Sequence, residues 1–160
     1  MMGMIQLLTY SWCRIITIMD KKTFVWHPDY SVGIQMIDEQ HQHFFEIANR
    51  IILLTEAEHV SQEDLLELFG ELGDYALYHL STEENLFNDL DYPGKEQHIA
   101  AHDQYRDAIA NQFATKLATA GTDVRAIAAE MAEYSGNWLR EHIITVDKQY
   151  SAFFNEHGVR

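Results

Sequence analysis

Apolar residues recur at three- and four-residue steps along most of the chain beyond residue 37, which is the spacing of helices that bury one face. The first predicted helix has its N-cap at Asp38 and runs to about Glu58. The second begins with Ser61 as its cap and Asp64 at the capping-box position. Tyr92-Pro93-Gly94 breaks the pattern, so the second helix is predicted to end there.

Two further helices follow this break. The third is predicted to start at or near Pro93 and to stop at Gly121. Thr122 or Asp123 can cap the fourth, which runs until Gly158. No strand pattern of comparable length competes with the helical one. Because the connections are short, the sequence predicts an all-α fold, an antiparallel up-down-up-down four-helix bundle with an irregular N-terminal leader.

The start of the chain does not follow the helical pattern. Residues 1–19 are apolar, but Arg14 interrupts them and they are shorter than the roughly 20 residues that span a bilayer. They also lack a small-residue signal-peptide cleavage site. We therefore predict that residues 1–20 form an N-terminal extension and residues 21–160 the domain; Met19 is a candidate start, which would leave most of this extension upstream.

Composition narrows the function classes. A chain of 160 residues suits one domain, and its net charge of −14 argues against nucleic acid or an anionic membrane as partner. The single cysteine, Cys13, allows neither an internal disulfide nor a thiolate metal cluster. We therefore expect a cytoplasmic protein without a membrane span, in which histidines and carboxylates are the available metal ligands.

Ionisable residues interrupt the predicted inward face of every helix: His41; His79 and Glu83; His98 and His102; His142 and Asp147. Such groups are costly to bury unpaired, by several kcal/mol each, and a bound cation removes the cost. Five imidazoles and two carboxylates exceed the four ligands of a tetrahedral zinc site, so two metal ions, such as a carboxylate-bridged pair of irons, share them more naturally.

The spacing of these residues varies in strength as a signal. His79 and Glu83, like His98 and His102, are four residues apart and lie on one helix face, although either pair alone is weak. Asp147 follows His142 by five residues, which corresponds to about 140° around a regular helix. Either the bridge spans this angle or the helix is locally distorted, and the alternative carboxylate, Glu141, is placed no better.

Several motifs resemble those of the hemerythrin family, specifically the single-domain bacteriohemerythrins. Near the start of the resemblance are Trp26 and, four residues later, the run Tyr-Ser-Val-Gly-Ile that begins at Tyr30. The other motifs are Ile-Asp-Glu-Gln-His ending at His41, His79-x-x-x-Glu83-Glu84, His98-x-x-x-His102, and Trp138-Leu139-x-x-His142-Ile143 with Asp147 four residues after Ile143. The resemblance covers the chain from about Trp26 to Phe154. It is specific because the whole set of motifs is present.

This resemblance implies an oxygen-binding protein rather than an enzyme, with two non-haem iron ions bridged by Glu83 and Asp147. In the implied ligand set, one iron is held by His98, His102 and His142, and the other by His41 and His79. The second iron keeps a vacant position, where dioxygen binds and from which it leaves when oxygen tension falls. Oxygen storage, transport or delivery would follow.

Apolar residues near the predicted ligands would form the oxygen pocket. The candidates are Phe44, Leu80, Trp138, Leu139 and Ile143. Each of them is also explained by core packing alone, since a bundle needs large apolar residues inside. Leu80 departs from the family pattern, in which an aromatic residue commonly follows the first ligand of this helix.

Other functions stay open at this point. A ferritin-like oxidase would need two Glu-x-x-His motifs, and this chain has one match, Glu56 and His59, far from the ligand level. An oxidase or peroxidase within the same fold, turnover of nitric oxide, and an oxygen or redox sensor remain alternatives. We expect a monomer, with dioxygen as ligand and an oxygen-consuming enzyme as a candidate partner. The remaining histidines are predicted to be exposed: His27, His43, His59 and His157.

Overall fold

The computed structural model describes residues 23–119, 121 and 123–160, so the predicted N-terminal extension lies outside the described residues. A short 3₁₀ turn, Pro28–Tyr30, precedes four long helices. Helix α1 is Gln35–Thr55 and helix α2 is Gln62–Asp89. Helix α3 begins as Lys95–Ala108 and continues through a π-helical segment, Ile109–Ala114, into Thr115–Leu117.

Helix α4 is also interrupted by a π-helical segment. Its first part is Val124–His142, the π-helical segment is Ile143–Asp147, and its last part is Lys148–Glu156. Helix α1 packs against both α2 and α4, and α2 also contacts α3 and α4. The predicted all-α four-helix bundle is confirmed, and the described residues contain no strand. Among them, no helix combines the length and apolar character needed to cross a membrane.

Two predicted helix caps are confirmed. The Ser61 hydroxyl accepts a hydrogen bond from the Asp64 amide at 3.0 Å, and the Asp123 carboxylate accepts one from the Ala126 amide at 3.1 Å. Each cap satisfies an amide of the first turn that has no partner inside the helix. Thr122, the alternative cap of the fourth helix, lies outside the described residues.

The predicted cap at Asp38 is wrong. Helix α1 begins three residues earlier, at Gln35, and its N-cap is Ile34. The Asp38 carboxylate instead accepts hydrogen bonds from the Val32 amide at 2.8 Å and the Ser31 hydroxyl at 2.5 Å. Asp38 therefore ties the leader to the first turn of α1 and does not start the helix.

The predicted helix ends lie a few residues beyond the observed ones. Helix α1 ends at Thr55 instead of about Glu58, and helix α2 ends at Asp89 instead of Tyr92. Helix α3 ends at Leu117 instead of Gly121, and helix α4 ends at Glu156 instead of Gly158. Gly121 and Gly158 have φ values of +80° and +82°, so both occupy the left-handed conformation that often follows a helix. Each glycine lies beyond the last residue of its helix, so it marks the region of the helix end and not its position.

The leader packs along the bundle between α1 and α4. The Phe24 backbone exchanges two hydrogen bonds of 2.7 Å with the Asn49 side chain, and the Phe24 ring stacks on Phe45 at 5.5 Å between centroids. On the α4 side, a Cβ atom added to Gly136 would lie 2.1 Å from the Phe24 ring. Gly136 thus allows the leader to approach α4 closely.

We predict that Gly136→Ala destabilises the protein because the methyl group overlaps the Phe24 ring. Overpacking of this kind costs about 1–3 kcal/mol, which outweighs the roughly 1 kcal/mol that alanine gains over glycine inside a helix. The matched control is Gly70→Ala, where the added Cβ has no atom within 4 Å and should be stabilising. Urea unfolding of the metal-free variants measures both effects.

The same substitution in a Phe24→Ala background separates overlap from other causes. Without the ring, Gly136→Ala should be neutral or stabilising, like Gly70→Ala. Equal stability of Gly136→Ala and Gly70→Ala in the otherwise unchanged protein would contradict the close approach of Phe24.

Candidate metal centre

The structure brings the seven predicted ligands together in the core of the bundle, where each is at most 4% exposed. They come from all four helices: His41 from α1, His79 and Glu83 from α2, His98 and His102 from α3, and His142 and Asp147 from α4. Their atoms form two clusters, and both clusters include Glu83.

The first cluster contains three histidines. His142 Nε2 lies 3.0 Å from His98 Nε2 and 3.2 Å from His102 Nε2. A neutral imidazole carries a hydrogen on only one nitrogen, and the Nε2–H of one ring can be donated to only one neighbouring ring. Hydrogen bonds between the rings therefore cannot satisfy all three Nε2 atoms. Three ring nitrogens that converge in this way are suited to a common metal ion, and we name these residues the three-histidine cluster.

The second cluster contains His41 and His79 together with Glu83, and we name it the two-histidine cluster. The centroids of the two imidazole rings are 4.7 Å apart. One ligand atom from each of the three residues lies within 4.8 Å of the others. Two imidazoles and a carboxylate are thus close enough to bind one ion.

Each carboxylate presents one oxygen to each cluster. Glu83 Oε2 lies 3.2 Å from His102 Nε2, while Glu83 Oε1 lies 4.0 Å from His41 Nε2. Asp147 Oδ1 lies 3.0 Å from His142 Nε2, and its Oδ2 lies 3.2 Å from His41 Nε2. This arrangement is what two carboxylates need in order to bridge a pair of metal ions.

The π-helical segment of α4 explains how Asp147 reaches this position. A π-helical turn contains about one residue more than an α-helical turn, because its hydrogen bonds join residues five apart. Ile143–Asp147 forms such a segment directly after His142. Asp147, five residues after His142, therefore lies on the same inward side, and of the two explanations left open by the sequence the local distortion is the observed one.

Several buried polar atoms of these residues have no hydrogen-bond partner in the protein. They are both nitrogens of His41, His79 Nε2, Glu83 Oε2 and both oxygens of Asp147. Leaving such atoms unsatisfied costs about 1–3 kcal/mol each. Carboxylate oxygens and unprotonated imidazole nitrogens are acceptors and cannot satisfy one another, whereas a cation can satisfy these acceptors, so the residues fit a metal centre. The second nitrogen of His41 carries the ring proton and would not bind the ion.

Hydrogen bonds from the outer side orient two of the imidazoles. His79 Nδ1 donates to Gln40 Oε1 at 3.1 Å, and His102 Nδ1 donates to Glu84 Oε1 at 2.8 Å. Both acceptors place the ring proton on Nδ1 and leave Nε2 free to bind a metal. Tyr150 donates to Glu83 Oε1 at 2.5 Å and fixes that carboxylate.

None of these three partners was predicted from the sequence. Gln40 and Glu84 each lie next to a predicted ligand in a quoted motif, and Tyr150 lies three residues after Asp147. A polar residue beside a ligand is a signal that can be found in a sequence. Its contact with a histidine of another helix is visible only in the structure.

Burial and nearby charges shift the pKa values of two of the histidines, His79 and His98. Burial lowers the pKa of His79 to about 3, against the opposing effect of Glu83, so this imidazole is neutral. Burial also disfavours the charge on His98, but the carboxylates of Asp147 and Glu83, 3.3 Å and 3.5 Å from His98 Nε2, outweigh it and raise the His98 pKa to about 9. The two carboxylates thus attract positive charge, and a metal ion can take the place of that proton.

The five predicted pocket residues differ in their exposure to solvent. Phe44, Leu80, Leu139 and Ile143 are fully buried, and the Phe44 ring lies 6.4 Å from that of His79. Trp138 is partly exposed, and its ring stacks on His142 at 4.4 Å, so it contacts the three-histidine cluster.

The remaining histidines are exposed at the surface, as predicted: His27, His43, His59 and His157. The accidental match to Glu-x-x-His, Glu56 and His59, is exposed as well. Trp26, which the sequence analysis used only as part of a motif, stacks on His41 at 6.3 Å between centroids.

Comparison with known proteins finds similarity over most of the chain. The model of the hemerythrin HHE cation binding domain matches residues 32–153. The bacteriohemerythrin of Clostridium acetobutylicum is 30% identical over 129 residues, which are 79% of this chain and 98% of that protein. The myohemerythrin of Sipunculus nudus is 28% identical over 127 residues, 79% of this chain and 90% of that protein.

Solved structures extend the similarity to the fold. A crystal structure of wild-type hemerythrin superposes with a TM-score of 0.68 and 21% sequence identity, covering 81% of this chain and 95% of that one. At this identity the superposition supports the bundle fold alone.

We predict that Glu83→Ala lowers the metal content below two ions per chain, because Glu83 presents an oxygen to both clusters. Metal analysis after anaerobic loading with ferrous iron measures the stoichiometry. Glu67→Ala, which removes an exposed carboxylate from the same helix, serves as the control and should leave the content unchanged. Retention of two ions by Glu83→Ala would show that Glu83 is not a shared ligand.

Proposed function

Because the chain belongs to the hemerythrin family, we propose that it binds dioxygen reversibly at a pair of non-haem iron ions. The observation that carries the proposal is the sharing of Glu83 and Asp147 between the three-histidine and the two-histidine cluster. Two carboxylates placed in this way can bridge two ions and hold them close together. A site for one ion would not need carboxylates with an oxygen facing each cluster.

In this proposal the protein residues divide between two ions. His98, His102 and His142 hold one ion, His41 and His79 hold the other, and Glu83 and Asp147 bridge them. A pair of ferrous ions supplies the electrons with which dioxygen can be bound reversibly.

The unequal number of histidines determines where dioxygen would bind. Glu83 belongs to both clusters and Asp147 presents one oxygen to each, so the two-histidine cluster offers one ligand fewer than the three-histidine cluster. If both ions took the same number of ligands, the ion that His41 and His79 would hold would have one more position for a small ligand. A small ligand can therefore approach that side without displacing a protein group.

The surroundings of the site favour binding without further reaction. Aromatic rings cover the two-histidine cluster, with Trp26 stacked on His41 and Phe44 beside His79. The hydroxyl of Tyr150 is engaged by Glu83, and burial raises the Tyr150 pKa well above its ordinary value, so this phenol keeps its proton. An apolar enclosure with few acidic protons disfavours cleavage of the O–O bond.

The same considerations support an oxygen-binding protein rather than an enzyme, acting in oxygen storage, transport or delivery. We further propose that residues 21–160 form the functional domain, that the protein is a cytoplasmic monomer, and that an oxygen-consuming enzyme takes up the released oxygen. These finer assignments depend on the oxygen-binding reaction, which is tested first.

The test is a cycle of oxygen addition and removal followed by visible absorption. Protein loaded anaerobically with two ferrous ions per chain should develop the coloured oxygenated form in air and lose it under vacuum or argon, over repeated cycles. A variant of the exposed His43, His43→Ala, is the control and should cycle like the unchanged protein.

The rival oxidase activity predicts a different course. An oxidase would be oxidised irreversibly at the first exposure to oxygen and would not regain the ferrous spectrum when oxygen is withdrawn. That result would exclude the proposed carrier function.

A further inference from the structure

Two of the proposed ligands donate from Nδ1 to acceptors of different charge. In the two-histidine cluster, His79 donates to the side-chain amide of Gln40 at 3.1 Å. In the three-histidine cluster, His102 donates to the carboxylate of Glu84 at 2.8 Å. The geometry of the two hydrogen bonds is similar, so the main difference is that one acceptor is neutral and the other is negatively charged.

The neutral acceptor is fixed in its orientation. Gln40 is only 5% exposed, and its Nε2 lies 3.3 Å from the hydroxyl of Tyr78, to which it donates. This contact turns the amide nitrogen away from His79 and the amide oxygen towards it. His79 therefore faces a dipole without net charge.

The charged acceptor is held by an arginine. Arg106 donates to the same oxygen, Glu84 Oε1, at 2.7 Å, and with its other nitrogen to Asp103 at 2.9 Å. The Glu84 and Arg106 side chains are 21% and 25% exposed, so this group links the buried cluster to the surface. Arg106 fixes the position of the oxygen that His102 uses.

The charge of the acceptor affects how strongly an imidazole binds a metal ion. A carboxylate draws the Nδ1 proton towards itself and increases the electron density on the ring, which makes Nε2 a stronger donor to the metal. Stronger donation stabilises the higher oxidation state of iron, and hydrogen bonding of this kind is a known means of tuning reduction potentials. A neutral amide exerts this effect more weakly.

We propose that Glu84, fixed by Arg106, is a positioning residue that makes the iron ion of the three-histidine cluster the first of the two to be oxidised. The inference rests on the iron pair of the proposed function. It adds that the two ions are electronically unequal, and that the ion beside His41 and His79 is kept in the ferrous form.

The order of oxidation can be measured without oxygen. Under argon, one equivalent of ferricyanide takes one electron from the diferrous protein and becomes ferrocyanide, leaving one ferric and one ferrous ion. Pulsed electron paramagnetic resonance counts the imidazole nitrogens coupled to the ferric ion. We expect three in the unchanged protein, because His98, His102 and His142 surround the ion that is oxidised first.

The variant Glu84→Gln replaces the charged acceptor by a neutral one of the same size. It should raise the reduction potential of the first oxidation step and reduce the preference for the three-histidine cluster by about tenfold. Asp103→Asn is the matched control, because it removes one negative charge bound to the same Arg106 but does not contact His102. It should shift the preference much less.

The reciprocal variant, Gln40→Glu, places a carboxylate opposite His79. It should lower the potential of the ion in the two-histidine cluster and shift the preference towards two coupled nitrogens. Thermal unfolding of the metal-free variants, followed by circular dichroism, reports whether each one folds. If one of the two variants does not fold, the other decides the question.

Three outcomes would overturn the inference: only two coupled nitrogens in the unchanged protein, folded Glu84→Gln and Gln40→Glu that both keep the original preference, or a shift in Glu84→Gln no larger than that in Asp103→Asn. None of them depends on whether dioxygen binds reversibly. Failure of the carrier function appears in the oxygen cycles, whereas failure of this inference appears in anaerobic potentials and spectra.

Discussion

The structure depends on one constraint. Hydrogen-bond acceptors face one another in the buried core of the bundle, and they need a partner. His41, His79, Glu83 and Asp147 all have buried polar atoms without a protein partner, and most of these atoms can only accept. Water does not reach them, and no described side chain donates to them. A cation that binds these groups only in the folded bundle stabilises the fold, so folding and metal binding are coupled.

This constraint explains features that lie outside the site. The π-helical segment Ile143–Asp147 weakens the regular hydrogen bonding of α4, yet it brings Asp147 to the level of His142 and His41. The side chains of Gln40 and Glu84 accept hydrogen bonds from His79 and His102 and thereby orient these two imidazoles. Each of these features is explained if the core holds the two ions of the proposed function.

Most of the site could be predicted because its residues interrupt apolar stripes. A buried histidine such as His79 is conspicuous among the leucines of α2, and the same anomaly recurs on every helix. Helix starts were predictable where a capping side chain bonds within its own turn, as at Ser61. Asp38 is also of a residue type that caps helices, but its carboxylate bonds backwards to Ser31 and Val32, so local sequence alone led to the wrong position.

Other features depend on contacts between distant segments and leave little local signal. No residue type in 143–147 or 109–114 distinguishes π-helical from α-helical hydrogen bonding, so those segments follow from packing. Trp138 illustrates the same limit, since its prediction as a pocket residue did not reveal that its ring stacks on His142 and is partly exposed. The unequal partners of His79 and His102 also arise between helices: Gln40 lies on α1 and Glu84 on α2. In the proposed iron pair, two ions bridged by the same carboxylates would therefore differ in their chemistry through residues that touch neither of them.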